Sequence, residues 1–215
     1  MEKEFLISAG KLTSVIKQLK PFISEDEARY YLGGIHLELE AGSDKANMIA
    51  TDGIKLCVLE VQVDRQELFD YGELKVIIPD KALDTILVML KGVQPEFPVA
   101  LRFNEAESHM FVDAGDEKGD FRLIDGDYPD YKKVIPTEKP KFKIGFSKVQ
   151  AREVLKAISS HPGTGKYGLQ WEMVDANSPT RIRSEGKLVV VMPMHVSIPG
   201  ENIPDLKPEE DSEEE

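Results

Sequence analysis

DFRLIDGDYPDYKKVIP, residues 120–136, runs from a predicted strand into a turn. Phe121 and Leu123 lie two residues apart on one face, as the period of an extended strand requires. Asp125-Gly126-Asp127 then breaks the strand, because glycine tolerates positive φ and aspartate caps its own turn. The two prolines that follow disfavour a helix and favour extended backbone before them. These residues alone predict a strand end that leads into an interdomain linker.

Three other segments join this one in a family resemblance. They are Arg29-Tyr30-Tyr31-Leu32, Ala50–Leu56 (ATDGIKL) and Val190–Met194 (VVMPM). Together with residues 120–136, and in the same order, they resemble the bacterial DNA polymerase III beta subunit, the sliding clamp. The resemblance implies a DNA-clamp fold of the α+β class, a part in DNA replication as a processivity factor, and no catalytic residues of its own.

The residue pattern also restarts twice along the chain. Units beginning at residues 4, 73 and 141 each predict the order β-α-β-β-β, and the third opens with a strand at Lys141–Phe146. One sheet and one helix leave an apolar face uncovered, so such units pair to bury a shared core. In the family that the chain resembles, two units face each other in one domain, with helices inward. Three repeats therefore leave one unit without a partner.

The resemblance implies four regions. Residues 1–136 correspond to one complete domain, similar to the family's middle domain, and residues 137–140 form a linker. Residues 141–196 correspond to the second half of the family's last domain, with a helix expected from Ser147 to about Ser159. Residues 197–215 are expected to form an acidic, disordered tail, which suits a run rich in like charges.

Composition excludes several classes of protein. The chain has 215 residues and 41% hydrophobic residues, as expected of a globular protein, and it has no apolar run long enough to span a membrane. Its one cysteine, Cys57, excludes an internal disulfide and is typical of the reducing cytoplasm. The net charge of −12 at first argues against nucleic acid. Six acids lie in residues 208–215, however, and an acidic total can coexist with a basic surface.

Enzymatic chemistry has little support in the sequence. The four histidines lack the spacing of metal ligands, so neither a metal nor a cofactor is expected. The segment His161–Lys166 partly matches the phosphate-binding loop motif. However, Ser160 stands where that motif needs glycine, and Tyr167 stands where it needs serine or threonine. This segment is predicted to be a flexible turn. A hydrolase that uses it is less favoured than either a sliding clamp or a peptide-binding module.

The resemblance implies a groove that binds short peptide motifs of a DNA polymerase or other clamp-binding proteins. Methionine suits such a groove because it adapts to varied apolar partners, and Gly53 permits close approach. Each of these residues taken singly is more typical of an ordinary core. The implied walls are Leu32, Thr51, Gly53, Ile54, Lys55, Leu56, Pro129, Lys133, Val134, Val190, Met192, Pro193, Met194, His195 and Val196.

Basic residues off the apolar stripes of the three helices are the candidate contacts to double-stranded DNA. They could neutralise phosphates without reading bases, although a solvated helix face explains the same pattern. These residues are Lys11, Lys17, Lys20, Lys81, Lys91, Lys148, Arg152 and Lys156.

The predicted function is that of a sliding clamp, and the alternative is a peptide-binding module that does not encircle DNA and competes for replication proteins. The unpaired third unit further predicts self-association. Its interface would be a helix face of Ala151, Val154, Leu155 and Ile158, in a dimer or in a four-chain ring.

Overall fold

The computed structural model describes residues 3–65, 72–136, 138, 140–159, 168–184 and 187–194. The chain forms two compact units, Met1–Val134 and Ile135–Glu215. The predicted tail and the segment His161–Lys166 lie outside the described residues. No helix among the described residues is long and apolar enough to cross a membrane.

The first unit contains two successive series of the order β-α-β-β-β. The first series comprises β1 (Lys3–Ser8), α1 (Ala9–Leu19), β2 (Gly34–Leu39), β3 (Lys45–Thr51) and β4 (Leu56–Gln62), followed by the short β5 (Asp64–Arg65). The second comprises β6 (Leu74–Pro79), α2 (Asp80–Met89), β7 (Pro98–Phe103), β8 (His109–Ala114) and β9 (Glu117–Arg122). Short 3₁₀ turns lie at Lys20–Phe22, Glu27–Leu32 and Tyr131–Val134.

The two series exchange their first strands. One antiparallel sheet has the order β5-β1-β7-β8-β9 and the other β4-β3-β2-β6. Strand β1 therefore lies in the sheet of the second series, where Phe5 is opposite Leu101. Strand β6 lies in the sheet of the first, where Val76 is opposite Leu37. The exchange joins both sheets and both helices around one core.

That core follows from the periodicity of the sequence. Helix α1 buries Leu12, Val15, Ile16 and Leu19, and α2 buries Ala82, Leu83, Ile86 and Met89. These spacings place one apolar stripe on each helix. The inward-facing residues of both sheets complete the same cluster. The prediction of the α+β class is confirmed.

The second unit is shorter, and its described residues form a smaller buried cluster than those of the first unit. It contains α3 (Lys148–Ser159) and an antiparallel sheet of β10 (Gln170–Glu172), β11 (Thr180–Ser184) and β12 (Lys187–Val191) in that order. Ser147 caps the helix by accepting a hydrogen bond from the backbone N–H of Val149 at 3.3 Å, near the predicted start. Val154, Ile182 and Val191 form its buried cluster.

One predicted strand is absent from this unit. Residues 141–146 were expected to open the third repeat as a strand, and the structure gives them no strand conformation. That part of the prediction is wrong, and the first unit supplies the reason. There each series pairs its first strand with the other series, and the described part of the second unit contains one series alone. A segment without a neighbouring strand has no ladder of hydrogen bonds to hold it extended.

Candidate functional site

The loop between β3 and β4 is held by its own hydrogen bonds. The Asp52 carboxylate accepts from the backbone N–H groups of Ile54 and Lys55, both at 2.9 Å, and from Lys55 Nζ at 2.5 Å. These bonds, first that of the lysine side chain, hold the pKa of Asp52 far below its usual range. Gly53 adopts a φ of +88°, in the left-handed region that favours glycine. The loop is fixed while the Ile54 side chain is 95% exposed.

Two residues outside the predicted walls support this loop. The ammonium of Lys55 lies 5.9 Å from the centroid of the Phe22 ring. The Arg29 guanidinium lies so close to Gly53 that a Cβ there would be 2.4 Å from its Nη1 atom. Asp26 orients Arg29 by accepting from its Nε at 2.9 Å. The spacing of Asp26 and Arg29 could have indicated an ion pair in the turn.

The turn after β9 contacts the same part of the fold. Tyr30 and Tyr31 pack edge to face, with ring centroids 5.8 Å apart, and both lie against Gly126. Tyr30 is exposed, so it offers an apolar ring and a hydroxyl at the surface. The 3₁₀ turn Glu27–Leu32 thus contacts both the predicted wall loop at Gly53 and the turn at Gly126, which precedes the predicted wall residue Pro129.

The half-buried Tyr128 and the buried Tyr131 anchor the segment that leads to the predicted wall at 129–134. The Tyr128 ring stacks on His36 with centroids 4.5 Å apart, and burial raises the pKa of Tyr128. The Tyr131 hydroxyl donates to Glu38 Oε2 at 2.7 Å. Burial alone would raise the pKa of Glu38, but hydrogen bonds from His36 and Tyr131 lower it. The anchor is therefore a carboxylate held in its charged form.

The structure divides the predicted groove residues of the first unit by exposure. Leu32 is buried in the interior, so it contributes support and no contact surface. Thr51 and Leu56 are half-buried. The residues that present surface are Gly53, Ile54, Lys55, Pro129, Lys133 and Val134.

The predicted groove residues of the second unit form an apolar strip of alternating positions. Along β12 and the residues after it, Val190, Met192 and Met194 are exposed, and Leu188 extends the same series. Pro193 is half-buried between the two methionines. His195 and Val196 lie outside the described residues.

The predicted DNA-facing residues are exposed with one exception. Lys20 binds Asp80 at 2.6 Å and Asp84 at 2.9 Å, so its charge is already balanced between the first two helices. Partial burial opposes a high pKa for Lys20, but the hydrogen bonds to these aspartates raise it. The exposed members are Lys11, Lys17, Lys81, Lys91, Lys148, Arg152 and Lys156.

Two concave surfaces lie elsewhere. A cavity of about 390 Å³ lies on the sheet of β7, β8 and β9, lined by Arg102, Phe111 and Asp120 among others. A second, of about 280 Å³, lies beside β6 and Asp125. The described residues contain no group of three or more His, Cys, Asp or Glu side chains that could hold a metal ion.

Comparison with known proteins gives a consistent result. The family model of the DNA polymerase III beta subunit, central domain, matches residues 6–130. The beta sliding clamp of Pseudomonas aeruginosa is 26% identical over 194 residues, which are 86% of this chain and 50% of that protein. The beta sliding clamp of Escherichia coli K12 is 29% identical over 144 residues, 65% of this chain and 36% of that protein.

Solved structures agree with the fold. The DNA polymerase sliding clamp from Bacillus subtilis superposes with a TM-score of 0.74 at 19% identity, covering 88% of this chain and 49% of that one. A putative DNA polymerase III beta subunit from Eubacterium rectale gives a TM-score of 0.75 at 18% identity, with the same coverage. The predicted DNA-clamp fold is confirmed. The chain spans about half the length of the Pseudomonas aeruginosa beta sliding clamp.

Proposed function

Because this chain belongs to the family of the DNA polymerase III beta subunit, we propose that it acts as a sliding-clamp-like processivity factor without catalytic activity. It contacts duplex DNA without sequence preference and binds short peptides of its partner proteins, in the cytoplasm. The observation that carries the proposal is the loop at 51–55, which presents Ile54 at 95% exposure on a backbone fixed by Asp52.

A fixed loop suits peptide capture for an energetic reason. Ordering a loop on binding costs free energy, and a loop already held by its own hydrogen bonds avoids most of that cost. An exposed isoleucine gains from burial by the partner, because removing apolar surface from water is favourable. Tyr30 and Val134 add exposed apolar surface on the same unit. The partner is therefore a short peptide with one or two bulky apolar side chains.

The strip of Val190, Met192 and Met194 on the second unit is proposed as a peptide-binding surface of that unit. Methionine packs against varied apolar shapes, so one strip can serve several partners. Replacing Met192 and Met194 together with Ala should weaken peptide binding by about 1–3 kcal/mol. Isothermal titration calorimetry measures this, with Val88→Ala as a matched control at an exposed apolar residue of α2. Unchanged affinity in the double variant, with the fold intact, would mean that the strip takes no part.

The DNA contact is proposed from the exposed basic residues of the helices. Binding through them should be weak, independent of sequence and steeply reduced by salt, because it releases counterions from phosphates. Replacing Lys11, Lys17 and Lys81 together with Glu should abolish retention on DNA. Lys118→Glu is the control, since this exposed lysine lies on β9 beside Asp113. Binding that survives the triple variant, or that prefers one sequence, would contradict the proposal.

The net charge of −12 favours a second candidate. A strongly acidic surface repels phosphates, which suits a peptide-binding module that does not encircle DNA and competes for replication proteins. Nicked circular DNA separates the two functions. A clamp should stay on the circle and be lost when the circle is cut, whereas a module should show peptide binding with no such retention.

A further inference from the structure

In the first unit, each series needs the first strand of the other series to complete its sheet. Strand β1 completes the sheet of β7, and β6 completes the sheet of β2, so neither series closes its own sheet. The first strand and the open edge of each series are complementary halves of one contact. Two series related by a two-fold axis satisfy both halves at once.

The described part of the second unit has a first-strand segment and an open sheet edge, but it has no second series to pair with them. The segment 141–147 precedes α3 directly, as β1 precedes α1 and β6 precedes α2. Strand β10 is an edge strand whose one sheet neighbour in the described chain is β11. Exposed backbone at such an edge is a template for another strand.

A hydrogen bond holds the segment where a first strand belongs. In the first unit the backbone N–H of Ile124 donates to the carbonyl of Ile77, in β6, at 3.0 Å. In the second unit the N–H of Met194 donates to the carbonyl of Gly145 at 2.9 Å. Ile77 and Gly145 are each the third residue before the helix that follows. The segment 141–147 therefore lies beside the end of its own series as β6 does. It has no counterpart of β2, the strand of the other series that pairs with β6.

We propose that residues 141–147 pair antiparallel with β10 of a second copy of this chain, so that the second unit closes as a strand-exchanged homodimer. The first unit supplies the register. Phe5 and Val76 each lie four residues before a helix, as Ile144 does, and Phe5 is opposite Leu101.

Trp171 holds the place of Leu101. Leu101 is opposite Val112, and Trp171 is opposite Ile182. Val112 and Ile182 each lie two residues before the last paired residue of their strand, Ala114 in β8 and Ser184 in β11. The copied register therefore sets Ile144 of one chain opposite Trp171 of the other.

This register brings together apolar side chains, most of which a single chain exposes. Phe146 is half-buried, and its ring centroid lies 5.9 Å from that of Trp171 in the same chain. Phe142 falls opposite Met173, and Phe146 falls opposite Leu169. In one chain Phe142 is 46% exposed, Trp171 is 39% exposed, and Met173 and Leu169 are exposed to a similar degree. The equivalent side chains of β6 and β7 are buried. Burying the exposed set on pairing is favourable, because it removes apolar surface from water.

The charges in this register are also complementary. Lys143 falls opposite Glu172 of the second copy. The equivalent residues of the first unit, Glu4 and Arg102, carry the opposite signs and form an ion pair at 2.7 Å. At the β2–β6 contact Lys75 is opposite Glu38, again with opposite signs. Opposite charges directly across a strand pair stabilise it, and like charges would oppose it.

The helices follow the same symmetry. Helices α1 and α2 pack against each other in the first unit. In α3, Leu155 holds the place of Ile16, which is fully buried, yet Leu155 is 47% exposed. Leu155 and Ala151 of two copies would meet across the two-fold axis. Both belong to the helix face predicted from the sequence, whereas Val154, predicted there too, is buried within its own unit. The Ile158 side chain lies outside the described residues.

A second copy suits this surface better than an unrelated partner, because one chain carries both the donor segment and the acceptor edge. Cysteine cross-linking tests the register. Chains with Lys143→Cys and Glu172→Cys, each also carrying Cys57→Ser, are mixed and oxidised without denaturant. Residues directly opposite in antiparallel strands have Cα atoms about 4.5–5.5 Å apart, within the range of a disulfide.

The expected product is a disulfide-linked species of twice the 24.1 kDa of one chain. The matched control mixes Lys141→Cys with Glu172→Cys, which is off register by two residues. Diagonal neighbours lie about 7–8 Å apart, so at least tenfold less product is expected from the control. Equal yields from both mixtures, or none from the matched pair, would overturn the proposal.

Light scattering gives an independent test on the unmodified chain. A mass of twice 24.1 kDa at micromolar concentration is expected, and Ile144→Glu should return it to that of one chain. Val88→Glu, at an exposed position of α2, should leave the dimer intact. A single-chain mass for the unmodified protein, or a dimer that survives Ile144→Glu, would overturn the proposal whatever the outcome of the peptide and DNA experiments.

Discussion

The two units place the same kind of residue in opposite environments. Ile16 of α1 and Leu155 of α3 occupy the same turn of equivalent helices, yet Ile16 is fully buried and Leu155 is 47% exposed. Val76 of β6 is buried in a strand, whereas Ile144 is half-buried in a segment without strand structure. The difference lies in the neighbours, since the first unit contains two series that cover each other.

An apolar pattern in the sequence defines which face of a helix or strand can be buried. Whether that face is buried depends on a second apolar face that packs against it. A helix stripe and a strand alternation prepare faces for burial. Burial follows when a second face is present, as in the shared core of the first unit. Five predictions test how exposure and packing act in the two units, beginning with the largest expected effect.

The largest effect is expected in the core of the first unit. Ile16→Ala should lower the free energy of unfolding by about 2–5 kcal/mol, because it removes fully buried atoms and leaves a cavity. Leu155→Ala should change it by less than about 1 kcal/mol in the single chain, since half of that side chain is already in water. Urea denaturation at low protein concentration, followed by circular dichroism, measures both. Similar losses would mean that the second unit is as well packed as the first.

Gly34 and Gly168 compare the closed strand contact with the open edge. A Cβ on Gly34 would lie 2.2 Å from the carbonyl oxygen of Ile78 in β6. Gly34→Ala should therefore force β2 and β6 apart at a cost of about 1–3 kcal/mol. Among the described residues, no heavy atom other than those of its chain neighbours would lie within 4 Å of a Cβ on Gly168, so Gly168→Ala should be neutral in the single chain. Thermal unfolding distinguishes the two, and a tolerated Gly34→Ala would contradict the tight exchange contact.

The half-buried carboxylate of Glu38 in the first unit should make stability depend on pH. Tyr131→Phe removes the hydrogen bond to Glu38 and should cost about 1–3 kcal/mol at neutral pH. Because the pKa of Glu38 is lowered in the folded chain, its contribution is complete above the usual pKa of 4.5. The contribution is lost as pH falls through the folded value. Unfolding followed from neutral to acid pH should therefore show a smaller loss in Tyr131→Phe than in the unmodified chain.

A carboxylate of the second unit provides the contrast to Glu38. Glu172 contacts Arg181 at 2.9 Å and Arg183 at 2.8 Å, and about half of each arginine side chain is exposed. Exposed ion pairs contribute little, so Glu172→Gln should cost less than about 1 kcal/mol. A larger cost than that of Tyr131→Phe would contradict the distinction between a closed first unit and an open second one.

The smallest effect on stability is expected at Ile54. Ile54→Ser should leave the free energy of unfolding within about 0.5 kcal/mol, because the side chain is almost fully in water. The same change should weaken the proposed peptide binding, whereas Val88→Ser should not. Exposure in the first unit would then mark a contact surface on a fixed loop. A marked loss of stability in Ile54→Ser would mean that the loop itself depends on this side chain.

The candidate site shows where sequence patterns stop being informative. The turn Thr51-Asp52-Gly53 was predicted from its residue types, and its hydrogen bonds are local ones that such residues make. Leu32 was predicted as a wall residue and is buried, because its environment depends on segments distant in sequence. Phe22 and Arg29 support the loop without any marker that links them to it in the sequence.

The ion-pair partners of a charged side chain also depend on segments distant in sequence. Lys20 was grouped with the DNA-facing lysines from its place on the helix, and the structure pairs it with Asp80 and Asp84 of α2. Helical periodicity places a side chain on a face, but it does not identify the groups on the facing helix. Lys20 lies in the 3₁₀ turn after α1, whereas Lys11 and Lys17 lie within α1 and are exposed.

The amino-acid sequence by itself determined the helices, the turns, the order of most strands and the apolar faces of this protein. These depend on residues a few positions apart, whose spacing and backbone preferences act locally. Only the tertiary structure decided which first strands form. Strands β1 and β6 exist because each finds an edge in the other series, and the FKIGF pattern at residues 142–146 has no such edge within the described chain. A strand is completed by hydrogen bonds to a neighbour, and no spacing within one segment can supply that neighbour.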